Sequence, residues 1–150
     1  MSRLPDSSYS KSSDSSGQII GLHQVTVGTF CEKTALVPFG TLQVFTSVTL
    51  DGTGVVISTN IQTVTGWSFV NSGKITVFVK VYDQTTVPNP VTDIPLLVIG
   101  VGPGNTESLA LPYGLDFVRG LAIRATNQPA FNDTSVIAAN TLAVNLFYTQ

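Results

Sequence analysis

From Gln18 onward the apolar positions recur at every second residue rather than at the three-to-four spacing of a helix. Between Thr41 and Leu50, Leu42, Val44, Val48 and Leu50 share one face and Gln43, Ser47 and Thr49 the other, which predicts a half-buried strand. Asp51-Gly52-Thr53-Gly54 then supplies turn residues tolerant of positive φ. Beyond it Val55, Ile57, Ile61, Trp67 and Phe69 continue on odd positions, with a kink expected at Gly66. From Lys74 to Tyr82 the alternation sends Ile75, Val77, Val79 and Val81 inward and Lys74, Thr76, Lys80 and Tyr82 outward. Further strands are expected near 22–30, 94–101, 106–111, 115–126 and 141–149, the last alternating Leu142, Val144, Leu146 and Tyr148. Eight or so short strands fit an all-β fold, a single jelly-roll-like antiparallel β-sandwich with an extended N-terminal arm. One turn between Thr134 and Asn140 is the sole helical candidate. The stretch from Val87 to Pro95 holds three prolines that cannot donate ladder hydrogen bonds, so it is expected as an extended connection at an edge or end of the sandwich.

The chain thus divides into a Ser-rich arm, residues 1–17, and a sandwich domain, residues 18–150. The first sixteen residues contain eight serines, with Leu4 and Tyr9 as their only large apolar or aromatic side chains, and such a segment cannot build a core. Fixing one backbone residue costs about 1–2 kcal/mol, so ordering the arm requires contacts on the order of 20 kcal/mol. Its own side chains cannot supply them. A partner surface is therefore expected to hold the arm, with Arg3, Leu4, Pro5 and Tyr9 as the anchors because they are its sizeable groups.

Composition narrows the role. Charged residues are only 11% of the 150 while apolar ones reach 43%, and the formal net charge is -2. No basic run could neutralise a series of phosphates, so nucleic-acid binding is not expected. A nearly uncharged surface offers little repulsion between copies and favours assembly. Cys31 is the lone cysteine, which excludes an intrachain disulfide. Residues 1–17 show no secretory apolar region, and no stretch approaches the roughly 20 apolar residues that span a bilayer, so synthesis in the cytoplasm of whatever cell makes the chain and no membrane partner are expected.

Candidate chemistry is sparse. His23 and Cys31 could form a nucleophile pair, yet no third orienting group is implied, and one histidine with one cysteine does not make a tetrahedral zinc site. Asp51, Asp83, Asp93, Glu107, Asp116 and Asp133 are scattered, mostly at turns, where Asp bonds its own backbone; a calcium site between two loops is the functional alternative. Gly100 to Gly104 lacks the Lys and the helix of a phosphate loop and reads as a glycine-rich hairpin turn. Trp67 and Tyr82 are possible ligand platforms, but Trp67 shares the core face with Phe69. No catalytic residue, metal or cofactor is assigned, and an enzyme is the least favoured class.

Residues 54–150 carry an ordered series: Val79-Lys80-Val81-Tyr82-Asp83, a Pro/Thr loop ending in Asp93-Ile94-Pro95, an apolar strand, a Gly/Pro turn, the pairs Gly114-Leu115 and Gly120-Leu121, an Asn132-Asp133-Thr134 loop, and the closing Val144-Asn145-Leu146-Phe147-Tyr148. In this order and spacing the chain resembles small β-sandwich virion proteins of tailed bacteriophages, similar to head decoration or cement proteins. The resemblance implies a structural protein on the capsid surface of a virion, bound to the major capsid protein, frequently as a homotrimer. The alternatives are a glycan- or receptor-binding module of a head or tail fibre, with Tyr113 and Phe131 as exposed aromatics, or a neck or tail component.

Overall fold

The computed structural model describes residues 40–150. The arm with its anchors Arg3, Leu4, Pro5 and Tyr9, the strand expected at 22–30, and both His23 and Cys31 lie outside the described residues. Eight strands follow in order: β1 (Leu42–Ser47), β2 (Val55–Ser58), β3 (Gln62–Asn71), β4 (Val77–Tyr82), β5 (Leu97–Val101), β6 (Thr106–Phe117), β7 (Leu121–Thr126) and β8 (Leu142–Thr149). They form two antiparallel four-stranded sheets, ordered β1-β8-β3-β6 and β2-β7-β4-β5. This is the strand order of a jelly roll, two interlocked Greek keys in a double sheet. Between the sheets lie Val64, Trp67, Phe69, Val77, Val79, Val81, Phe117, Ile123, Val144 and Leu146. The alternation expected in β4 and β8 places these side chains inward.

Several expectations are corrected by the packing. In β1 the inward side chain is Phe45, while Leu42, Val44 and Val48 stand outward, each at least half exposed. Leu50 is buried because it follows the strand's end and turns back into the core. In β3 the inward parity changes partway along. Gln62 and Val64 are buried, Ile61 is exposed, and after a register shift between Val64 and Gly66 the odd residues Trp67 and Phe69 take over. Thr65 is the extra residue of a bulge, which reverses the face of everything beyond it.

The same shift is larger on the β6 side, where Val64 pairs with Leu115 but Gly66 with Ala110. Leu111 to Gly114 therefore leave the ladder, and β6 is one interrupted strand where two were expected. Gly102 to Asn105 make the tight turn after β5, with Gly104 at φ 69°. That turn is not a hairpin: β5 and β6 belong to opposite sheets. Thr134–Asn140 is not helical. Asn71 fastens this corner, donating to the carbonyls of Ile75 at 2.8 Å and Val101 at 2.9 Å while its own carbonyl accepts from the Gly73 amide.

Candidate functional site

Apart from the partly exposed Phe78, the outward residues of β4 and β7 do not reach solvent. Lys80 and Arg124 face each other in register across the two strands, with Tyr82 and Thr126 on the same face, and all four are buried. Like charges directly opposite one another repel, and removing either from water costs more still. What covers them is the pair of long connections, residues 83–96 and 127–141. Lys80 Nζ donates to the Ala130 carbonyl and Arg124 Nη2 to the Phe131 carbonyl. Arg124 Nε donates to the Tyr82 hydroxyl at 2.7 Å, and Thr126 Oγ1 donates to the Gln128 carbonyl at 3.0 Å. Arg124 Nη1 is buried without a partner. Burial depresses the Lys80 ammonium below its ordinary range, Arg124 adds to the effect and Asp133 opposes it. Burial likewise raises the Tyr82 phenol, against the hydrogen bond from Arg124. The cations hold down loop carbonyls; the Lys80 amine is engaged and covered, so it does not serve as a surface nucleophile.

Each connection is also built from within by one aspartate. Asp93 accepts from the Asn89 amide at 2.8 Å and the Gln84 amide group at 2.9 Å, with Thr92 as a third donor, and these bonds hold its carboxyl below the usual range. Asp133 accepts from the amides of Gln128 and Ser135 and from the Ser135 hydroxyl. Burial pushes its carboxyl up, but those bonds outweigh it and bring the pKa to about 2. Asp51 does the same for the β1–β2 turn through the Thr53 hydroxyl and amide. Turn chemistry is thus the role of these carboxylates. Among the described residues no group of three or more His, Cys, Asp or Glu is placed to hold a metal.

The three turns meet around a depression of about 380 Å³ lined by Asp51, Thr53, Pro88, Pro90, Thr134 and Val136. Gly54, at φ 76°, sits beneath it. A Cβ there would lie 2.9 Å from Arg124 Cβ and 3.3 Å from Pro88 Cδ, so only glycine lets the turn and the proline loop close on the cation row. On these internally braced loops six large apolar side chains are exposed: Val87, Val91, Ile94, Leu96, Phe131 and Val136. Exposed apolar side chains on loops are candidates for a contact surface. Phe131 combines both roles, with its ring half exposed and its carbonyl on Arg124.

Other sequence candidates fall elsewhere. Trp67 is core, stacked on Phe69 with ring centroids 6.1 Å apart. Tyr82 is fully buried and belongs to the cation row. Tyr113 is 93% exposed at the tip of the Leu111–Gly114 excursion, far along the chain from the two loops. The Lys80–Arg124 pair was missed as a site because alternation makes Lys80 a solvent-facing residue. The available signal was two cations and a tyrosine on one strand face beside two long connections. No family model, curated protein or solved structure matches this chain.

Proposed function

We propose that this chain is a virion structural protein, a decoration or cement protein that binds the outside of a phage head and stabilises it. The observation that carries the reading is the braced apolar loop surface, with six large side chains exposed on loops that Asp93 and Asp133 brace from within. Such a surface binds through apolar contact at little conformational cost. The resemblance of residues 54–150 to phage head proteins supplies the partner, the major capsid protein, and the Ser-rich arm anchored by Arg3, Leu4, Pro5 and Tyr9 supplies a second attachment. Co-sedimentation of the full chain with heads of the encoding phage that lack it tests the proposal. Saturable binding is expected, lost on deletion of residues 1–17 and weakened at least tenfold by Val91→Asp with Ile94→Asp, a loss of about 1.4 kcal/mol or more. Full occupancy by both variants contradicts it.

A second reading rests on Tyr113, whose ring stands clear of the sheet as carbohydrate-stacking aromatics do. In that case the chain is a glycan- or receptor-binding module. A glycan array with hits abolished by Tyr113→Ala supports it, and an array without hits removes it.

A further inference from the structure

One end of the sandwich interior is polar. Gln43 on β1 lies opposite Tyr148 on β8 and shares its inner face. The Tyr148 hydroxyl donates to Gln43 Oε1 at 3.1 Å, and Gln43 Nε2 donates to Gln150 Oε1 at 3.1 Å. Across the gap between the sheets is the end of β2, where the chain turns through Ser58, Thr59 and Asn60 and crosses to β3 in the other sheet. Gln62, the first residue of β3, is only 1% exposed, and its Nε2 donates back to Ser58 Oγ at 2.8 Å. Inward positions of a sandwich ordinarily carry apolar side chains, so three glutamines and a serine gathered at one end depart from the pattern of the fold. Gln43, Ser58, Asn60, Tyr148 and Gln150 line a pocket there of about 360 Å³.

The hydrogen bonding around this pocket is incomplete. Ser58 Oγ already accepts from Gln62 Nε2 and, at 3.1 Å, from the Asn60 backbone amide, so its own hydrogen is left to donate. Gln62 Oε1, beside it, is buried and has no partner. Turning the Gln62 amide over gives its oxygen the Ser58 hydrogen but leaves its nitrogen stranded instead. Buried side-chain amides are nearly always paired, so the deficit points to a group that the surrounding side chains do not supply.

The lining decides the chemistry of that group. No charged side chain lines the pocket, so a phosphate or carboxylate would leave water with no opposite charge to meet it. Amides and hydroxyls offer donor and acceptor side by side, and a ligand rich in hydroxyls offers the same in return. The volume is at the small end for ligand pockets and suits a single sugar ring. We propose that this end of the sandwich binds a neutral hexose unit through Gln43, Ser58, Gln62 and Gln150. One hydroxyl of the sugar donates to Gln62 Oε1 and accepts from Ser58. The site shares no residue with the apolar loop surface or with the Tyr113 tip, and it stands whether or not the chain binds a phage head.

Heteronuclear NMR titration of the full chain with glucose, galactose, mannose and N-acetylglucosamine tests this. Saturable shifts are expected with at least one of the four, centred on the side-chain amides of Gln43, Gln62 and Gln150 and on the backbone amides of Ser58 to Asn60. Gln150→Ala and Gln62→Leu should each weaken that binding at least tenfold while thermal melting remains that of a folded sandwich. Gln150 is exposed, so its variant decides the matter even where Gln62→Leu loosens the core. Tyr113→Ala should leave the shifts unchanged. No saturable shift with any of the four sugars, shifts that centre on Tyr113 or vanish with it, or binding indifferent to the glutamine variants overturns the proposal.

Discussion

Arg124 on β7 ties two other parts of the molecule together through one guanidinium: Tyr82 on β4, by its hydroxyl and by its ring, whose centroid lies 6.0 Å from the Arg124 Cζ, and the Phe131 carbonyl on the covering loop. Replacing it by Met leaves a buried hydroxyl and a partly buried carbonyl without their donor. Arg124→Met is expected to cost about 2–3 kcal/mol in chemical denaturation and to speed amide exchange in residues 127–136. Gly54→Ala adds a Cβ 2.7 Å from the Ile123 carbonyl at a positive φ, and a loss of about 1–3 kcal/mol is expected in the same assay. Asp133 gives the pH dependence. Its folded pKa, about 2, lies below the ordinary carboxyl value of 3.8, so its contribution is present above the unfolded pKa and disappears as pH falls from about 4 to 2. Asp133→Asn should flatten the acid limb of a stability–pH curve, and an unchanged slope would show that the turn does not depend on the ionised carboxylate.

At the level of elements, alternation placed Val77, Val79 and Val81 of β4 and Leu142, Val144 and Leu146 of β8 inward as the fold does, but Ile75, expected inward, lies before β4 and is exposed. It misread β1 because the pattern gathered Leu42, Val44 and Val48, while the fold turns inward the face of Gln43, Phe45 and Ser47, whose one large apolar side chain packs against the core. Local pattern does not decide which face meets the partner sheet; the packing does. In β3 the bulge at Thr65 reversed the parity, and only Gly66 hinted at it. The cover over Lys80 and Arg124 was illegible for another reason, since it comes from segments distant in sequence whose carbonyls, not side chains, receive the cations. Bulge and exposed tip belong together in β6. Removing the excursion by joining Ala110 to Leu115 through a two-glycine link should leave a folded sandwich, because Leu111 to Gly114 make no ladder pairs. Cooperative melting of that variant is the check, and loss of the transition would show that the excursion is structural.

For the whole molecule, the jelly roll separates two surfaces of different make. The β2-β7-β4-β5 side is roofed by loops braced on Asp51, Asp93, Asp133 and the buried cations, and it presents exposed aliphatic groups. The β1-β8-β3-β6 side is a bare sheet whose outward rows are mostly neutral, with Asp116 as the carboxylate at its β6 edge. Fold alone does not assign a role to either side, because jelly rolls serve many functions. The proposed role takes the apolar roof as the contact with a phage head, which a binding experiment addresses directly. Wild-type chain and the Val91→Asp, Ile94→Asp variant, both first shown to be folded by thermal melting, are titrated onto heads lacking the protein, and bound copies are counted by co-sedimentation. Saturation by the wild type with at least tenfold weaker binding of the variant is the expected result. Equal binding of the two, or none by either, would contradict the account.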